Sequence, residues 1–286
     1  AEHVLLEFAK ALENNSPIET LRSIPQMAYL VDEKPELGPN VIDLHSFETC
    51  QASKRKHAEN FHLIELETNK IEQRHIVQQT GDKYVVVNPA QPPLTTEQLD
   101  ASFDLPYCRM PHPKYKKRGA IPAFEMIKNS VNIHRGCFGG CSFCTISAHQ
   151  GKQIVSRSES SILREVELLT KQEGFHGVIS DLGGPSANMY RMSGKNKDLC
   201  KRCSRYSCIH PSLCANLDSN HKRLTDLYAK VLAVPGVKHL YIGSGIRYDL
   251  FLDEKGFIDE TSYPYLKELI LEHTSGRLKV APEHTE

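Results

Sequence analysis

The sequence lacks a net charge, a long apolar run and a secretory leader, and each absence excludes a class of protein. Its 35 basic and 35 acidic residues cancel, so the overall charge does not favour binding to nucleic acid or to a membrane surface. No apolar run approaches the roughly 20 residues that a transmembrane helix needs. The first residues, Ala1-Glu2-His3, do not show the basic-then-apolar pattern of a signal peptide. We therefore expect a cytoplasmic protein with no membrane partner.

Cysteine, in contrast, is abundant. Cytoplasmic compartments disfavour disulfides, so the nine cysteines of this chain are expected to include metal ligands or catalytic groups. Seven of them lie between positions 137 and 214 in two groups. Cys50 and Cys108 stand apart, and we expect these two to be buried or incidental thiols.

The first 127 residues predict an α+β region. An apolar stripe predicts a helix over 4–13, and a weaker stripe that includes Phe47 and Phe61 predicts one over 45–68. Residues 74–88 contain two strand-like runs on either side of a Gly-containing turn, and this pattern predicts a β-hairpin. Thr95 and Gln98 form a capping-box pattern that begins a short helix. A proline-rich stretch follows, and we place a domain boundary between residues 127 and 128.

From Ser130 onward, strands alternate with helices. Strand patterns lie at 130–133, 177–182, 240–242 and 278–281, and helix patterns at 158–169, 224–232 and 265–273. This alternation predicts an α/β fold with a parallel sheet that binds its ligands at the carboxyl ends of the strands. The pattern stops at the fourth strand, and the chain has no initial Met, so we expect a fragment of a longer protein.

The first cysteine group, Cys137, Cys141 and Cys144, has the spacing C-x3-C-x2-C directly after the first of these strands. Three thiolates can bind three irons of a 4Fe-4S cubane and leave the fourth iron without a protein ligand. The neighbouring glycines let the backbone bend around the cluster and bring amide donors toward its sulfurs. The alternative is a zinc site or a set of buried thiols, but zinc normally takes four ligands, and only His134 and His149 are nearby candidates.

A second cysteine group lies within a predicted insert at about 191–221. Its four members, Cys200, Cys203, Cys208 and Cys214, fall within 15 residues that contain few apolar side chains. Four thiolates that begin with C-x2-C fit a closed metal site, which would hold either zinc or an auxiliary iron–sulfur cluster. Redox-active disulfides or a reducible loop are the alternative.

The cysteine triplet, with an aromatic residue before its last member, resembles the signature of the radical S-adenosylmethionine (SAM) superfamily. Further motifs make the chain similar to the YgiQ-type radical SAM proteins; they lie at 130–141, 149–151, 156–158, 180–185, 188–190, 244–249 and 281–285. The resemblance implies the first part of a TIM-like (βα) barrel after an α+β N-terminal extension. It also implies a longer protein, with more barrel beyond this chain and a nucleotide-fold-like region before it.

The same resemblance implies a cofactor and residues that bind it. In the superfamily, the open iron chelates SAM, and reductive cleavage gives methionine and a 5′-deoxyadenosyl radical that abstracts hydrogen from a substrate. Phe143 would lie against the adenine, and the backbone of Gly183, Gly184 and Pro185 would receive the SAM amino group, although a plain turn would also use these residues. The remaining expected SAM contacts are Arg247, which with Asp249 would orient the SAM carboxylate or a substrate, and Glu283, which would bind the ribose. An ordinary surface or capping role is the alternative for each of these residues.

The leading hypothesis is therefore an enzyme that starts radical chemistry on an unknown substrate, supplied with electrons by a reductant such as flavodoxin or ferredoxin. The rival hypothesis is a non-catalytic nucleic-acid-binding module, which uses basic runs such as Lys54-Arg55-Lys56 and is stabilised by zinc or an iron–sulfur cluster on the second cysteine group. The zero net charge and the three-cysteine group argue against this rival. A plain electron carrier is a third hypothesis, but a carrier usually ligates every iron of its cluster.

Overall fold

The structure is a computed structural model, which describes residues 2–253 and 255–282. The described residues form a mixed α/β fold, which confirms the predicted fold class at that level. The helices are α1 (Glu2–Glu13), α2 (Ile18–Ser23), α3 (Phe47–Ala52), α4 (Lys54–Thr68), α5 (Thr96–Phe103), α6 (Pro122–Ile127), α7 (Ile146–Gln150), α8 (Glu159–Thr170), α9 (Lys197–Lys201), α10 (Lys222–Leu232) and α11 (Tyr263–Glu272). Short 3-10 turns lie at Pro113–Tyr115 and Tyr248–Phe251.

The strands are short, and most have two or three residues. They are β1 (Ala28–Val31), β2 (Val41–Asp43), β3 (His75–Thr80), β4 (Lys83–Val87), β5 (Ser130–Asn132), β6 (His134–Arg135), β7 (Val155–Ser156), β8 (Val178–Ile179), β9 (Asp181–Gly183), β10 (Ser193–Gly194), β11 (Leu217–Asp218) and β12 (His239–Leu240). Strand pairing and side-chain packing divide them between two compact units of the chain.

Each of the two units consists of two separate segments of the sequence. One unit contains residues 1–93 and 196–206, and the other contains residues 94–195 and 207–286. Residues 94–127, which the sequence analysis grouped with the N-terminal region, thus pack with the later residues. The boundary predicted after residue 127 remains a prediction about domains, since compactness alone does not define them.

The first unit is built on a four-stranded sheet in the order β1-β4-β3-β2. The predicted hairpin is present, because β3 and β4 pair antiparallel and Thr80 lies opposite Lys83. The predicted single helix over 45–68 is wrong: Ser53 ends α3 and caps α4 through the amide of Lys56. Phe47 and Phe61, expected on its apolar face, are exposed.

The second unit contains the parallel strand pairs expected from the sequence. Strand β5 pairs with β9, and β8 pairs with β12, both in parallel. The fourth predicted strand appears only as a parallel bridge between Ile246 and Val280. Predicted strands one to three therefore contact one another in consecutive order, and the fourth contacts Ile246, which lies beyond the third. Within residues 2–253 and 255–282 these pairings form separate short sheets and no closed barrel.

The main core of the second unit lies between these strands and helices α8, α10 and α11. Helix α8 begins where Ser158 accepts a hydrogen bond from the Ser161 amide, as its sequence predicts. Apolar residues of the strands and helices then form one buried cluster, which includes Val131, Ile162, Leu182, Leu224, Leu240 and Leu269. This packing fixes the strand ends from which the candidate site is built. None of the helices in the described part of the chain is long and apolar enough to cross a membrane.

Candidate functional site

The cysteine triplet lies on a loop that a short strand pair closes at its base. Strand β6 pairs antiparallel with β7, so that Arg135 lies opposite Val155. The Cys137 amide donates to the carbonyl oxygen of Gly151 at 3.1 Å, and the Gly136 amide donates to the Gln150 side chain at 3.2 Å. The two ends of the loop are thus hydrogen-bonded to each other, which limits where the cysteine sulfurs can lie.

Two of the three sulfurs have nearby donors. The Gly139 amide donates to Cys137 Sγ at 3.4 Å, and Arg247 Nη1 donates to Cys141 Sγ at 3.3 Å. Cys144 follows on the same turn, and its amide donates to the Cys141 carbonyl oxygen at 3.0 Å. All three cysteines are partly buried. Donors of this kind stabilise negative charge on sulfur, as a thiolate that binds metal requires.

The predicted Gly183-Gly184-Pro185 turn lies beside the cysteine loop. Strands β5 and β9 pair in parallel, with Asn132 opposite Gly183, so the cysteine loop and this turn leave the same edge of the strand pair. Cys137 Sγ lies 3.6 Å from the hydroxyl oxygen of Ser186, the residue that follows the turn. The structure therefore brings together two motifs that are about 40 residues apart in the sequence.

His134 packs against this turn and explains one of its glycines. A Cβ atom on Gly184 would lie 2.6 Å from His134 Nε2, closer than packed atoms approach. The same Nε2 donates to the carbonyl oxygen of Ser186 at 2.9 Å. Burial lowers the pKa of His134, and its backbone hydrogen bonds only partly oppose this effect, so the ring is neutral. Because Nε2 is already used, His134 is a poor fourth ligand for zinc.

Arg247 is the charged side chain closest to the sulfurs among the contacts described here. Its Nε donates to Asp249 Oδ1 at 3.0 Å, and its Nη2 bonds the other oxygen of the same carboxylate. With Nη1 on Cys141, each guanidinium nitrogen has a partner. Burial lowers the pKa of Arg247, but Asp249 and then Cys141 raise it by more, so the pKa lies above its ordinary value. The side chain is a permanent cation.

Asn188 holds the backbone of Arg247 from both sides. Its side-chain oxygen accepts from the Arg247 amide at 2.9 Å, and its nitrogen donates to the Arg247 carbonyl at 2.9 Å. The same nitrogen lies 3.3 Å from Nε2 of the buried His221. Sequence reasoning had noted Asn188 only within a family motif and had missed Ser186 and His221; the position of Asn188 beside the Gly-Gly turn was the available signal.

The residues fit an iron–sulfur cluster better than a single ion. Within residues 2–253 and 255–282, no three His, Cys, Asp or Glu side chains lie close enough together to hold one metal ion. A cluster binds each thiolate through a different iron, so its sulfurs lie farther apart than those around one ion. The three thiols lie on one closed loop, and two of them have nearby donors. Convergence of the three sulfurs on one cluster remains a prediction.

The remaining predicted site residues are less closely connected. Phe143 is 69% exposed, and its contact with adenine remains a prediction, as do the SAM contacts of Gly183, Gly184, Pro185 and Arg247. Glu283 lies outside the described residues. The second cysteine group is divided: Cys200 and Cys203 belong to the first unit, and Cys208 and Cys214 to the second. Metal binding by these four cysteines also remains a prediction.

Part of the second group nevertheless supports the cysteine loop. The Cys208 amide donates to the Phe138 carbonyl oxygen at 3.0 Å, and Phe138 is buried. Cys137, Cys208 and Cys214 pack around the same apolar cluster, which contains Phe138, Met189, Met192, Ile209, Leu217 and Leu250. The segment from Cys208 to Cys214 therefore stabilises the triplet loop, whatever its own cysteines bind.

In the basic run Lys54-Arg55-Lys56, which the rival hypothesis uses, two side chains have a local anionic partner. Arg55 and Lys56 both bond the carboxylate of Glu59, at 3.1 and 2.8 Å. Bonds from Lys56 and His45 lower the pKa of Glu59 to about 2, so it stays charged. Such pairing is typical of a solvated surface rather than of a phosphate-binding patch.

Comparison with known proteins first shows what the N-terminal part of the chain resembles. Residues 1–130 match the family model described as the radical SAM N-terminal region. The match ends before the cysteine triplet. Radical SAM proteins generally use an iron–sulfur cluster and SAM.

The relatives are more specific. Over 285 residues, 98% of this chain, it is 52% identical to a UPF0313 protein of Porphyromonas gingivalis, of which it covers 45%. It is 56% identical over 92% of its length to a UPF0313 protein of Bacteroides thetaiotaomicron, of which it covers 43%. The identity to a UPF0313 protein of Pseudomonas aeruginosa is 48% over 86% of this chain and 32% of the relative. The resemblance to a radical SAM family is thus confirmed, and the chain spans less than half the length of these relatives.

Proposed function

We propose that this chain contains the cluster-binding part of a radical SAM enzyme, in which Cys137, Cys141 and Cys144 hold a 4Fe-4S cluster. The observation that carries the proposal is the 3.6 Å approach of Cys137 Sγ to Ser186 Oγ. It brings the cysteine loop next to the turn that the superfamily resemblance assigns to SAM. When bound, the cluster supplies the electron for reductive cleavage of SAM to methionine and a 5′-deoxyadenosyl radical.

The chain's own residues would hold these groups in place. The Gly139 amide and the Arg247 guanidinium would stabilise charge on the sulfurs of Cys137 and Cys141. Asp181 orders the loop that leads to Arg247, because its carboxylate accepts from the amides of Gly243 and Ser244 at 2.9 and 3.0 Å. The backbone of Gly183 and Gly184 would receive the SAM amino group, and Phe143 would contact its adenine.

The parallel pairing of β5 with β9 and of β8 with β12, together with the parallel bridge between Ile246 and Val280, supports a further proposal, that these strands begin a TIM-like barrel. Ligands of such barrels bind at the carboxyl ends of the strands. The cysteine loop, the Gly-Gly turn and Arg247 follow three successive strands at those ends. The substrate, an electron donor of the flavodoxin or ferredoxin class, and a cytoplasmic location belong to the same proposal.

The test is a comparison of cluster content in the intact protein after anaerobic reconstitution with iron and sulfide. Cys137→Ala removes one iron ligand, so we expect it to lose most of the bound iron and acid-labile sulfide. Cys108→Ala is the matched control, because Cys108 is an exposed cysteine outside the loop, and it should keep the wild-type content. Equal cluster content in wild type and Cys137→Ala would contradict the proposed ligand set.

A further inference from the structure

The guanidinium of Arg247 is held in one position. Its side chain is 7% exposed and is bound by both carboxylate oxygens of Asp249. Its backbone is bound on both sides by the buried carboxamide of Asn188. A cation held by a bidentate carboxylate and a double backbone bond has few alternative rotamers. Its charge therefore acts on a fixed point of the molecule.

That fixed point lies beside the Cys141 thiol. Nη1, the nitrogen that does not bond Asp249, lies 3.3 Å from Cys141 Sγ. A Cβ atom on Gly139 would lie 2.6 Å from the same Nη1 and 3.3 Å from Cys137 Sγ. Only glycine leaves the space that the guanidinium occupies over the loop. One nitrogen of the Arg247 guanidinium thus bonds the Cys141 sulfur, and the other two bond Asp249.

A fixed cation beside sulfur ligands favours the state of a cluster that carries more negative charge. Net charge, hydrogen bonds to the sulfurs and solvent exposure set the reduction potentials of iron–sulfur clusters. The partial burial of the three cysteines limits screening by water. The step affected is the transfer of one electron from the external reductant to the oxidised cluster, in which no bond forms or breaks.

We infer that Arg247 is a positioning residue that raises the reduction potential of the cluster and so makes its one-electron reduction easier. The inference rests on the proposed function, because it requires a cluster on Cys137, Cys141 and Cys144. It assigns Arg247 to the cluster, whereas the sequence analysis expected it to orient the SAM carboxylate or a substrate.

The test is a redox titration of the reconstituted intact protein without SAM, in which electron paramagnetic resonance measures the fraction of reduced cluster. Arg247→Gln removes the charge but keeps a donor. We expect it to weaken the preference for the reduced cluster at least tenfold, which is a fall of about 59 mV in the potential of a one-electron couple. Arg223→Gln is the matched control: Arg223 lies in the same unit and bonds Asp218 at 2.9 Å, and its loss should leave the potential unchanged.

Arg247→Lys separates charge from shape. It keeps the cation without the planar fork, so its potential should lie closer to that of the wild type than that of Arg247→Gln does. Equal potentials in wild type and Arg247→Gln, or in Arg247→Gln and Arg247→Lys, would overturn the inference. If Arg247→Gln binds no cluster, a wild-type-like potential in Arg247→Lys supports the inference, and a potential that is lower by about 59 mV or more overturns it. Failure of wild type to bind a cluster would instead contradict the proposed function.

Discussion

The closure of the cysteine loop gives a prediction whose size follows from the structure. Gly136 has a φ of +86°, and a Cβ atom there would lie 2.1 Å from the carbonyl oxygen of Gln153. Gly151 has a similar φ of +91°, but a Cβ atom there would meet nothing within 4 Å. Alanine at either position costs about 1–3 kcal/mol of backbone strain. Only Gly136→Ala adds the overlap with backbone, which costs about 1–3 kcal/mol more.

Hydrogen exchange measured by mass spectrometry can separate these two costs. Peptides that span residues 134–157 report on the strand pair and on the Cys137 amide that closes the loop. An additional 1–3 kcal/mol corresponds to roughly 5- to 150-fold faster exchange in Gly136→Ala than in Gly151→Ala. Equal exchange rates in the two variants would refute the reasoning, because they would mean that the loop is not closed as described.

Three further predictions follow. Gly184→Ala should displace the ring of His134 and lower the free energy of unfolding by about 1–3 kcal/mol, seen as a lower Tm; an unchanged Tm would contradict the packing. Burial lowers the pKa of His221 to about 4, so below about pH 6.5 the unfolded chain binds a proton that the folded chain does not. The free energy of unfolding should therefore fall by roughly 3 kcal/mol in all as the pH drops from about 6.5 through about 4. In denaturant titrations, His221→Gln should reduce this dependence of stability on pH, and an unchanged dependence would refute the role of His221. Metal analysis of the anaerobically purified intact protein should show less metal in Cys203→Ser/Cys208→Ser; equal content would mean that these cysteines bind none.

Much of the second unit could be predicted from local sequence signals. Ser158 at the start of α8 and the apolar spacing of α10 are strong patterns, and both helices are present. The strands were harder, because each has only two or three paired residues and a bridge at Ile246 replaces the fourth. In the first unit, Ser53 divides a predicted helix in two, because its side chain caps a new helix and no apolar pattern records that event.

The candidate site was predicted in its residue types and only partly in its contacts. The spacing of Cys137, Cys141 and Cys144 identified the loop, because cysteines so close in the sequence can bind the same cluster. Ser186 and Arg247 reach the cysteine loop through strand pairing between distant segments, and no local sequence pattern encodes that pairing. Likewise, glycine at 184 was expected to serve SAM, whereas its close contact with His134 alone requires a residue without a side chain.

The measurement that tests the central claim most directly is the cleavage of SAM itself. The intact protein is reconstituted anaerobically, mixed with SAM and dithionite, and assayed by chromatography for 5′-deoxyadenosine, with Cys137→Ala and Cys108→Ala measured beside it. Cleavage needs the cluster that Cys137 would bind, so the account predicts 5′-deoxyadenosine from wild type and Cys108→Ala and its absence from Cys137→Ala. Undiminished production by Cys137→Ala, or none from a wild type that carries its full cluster, would contradict it.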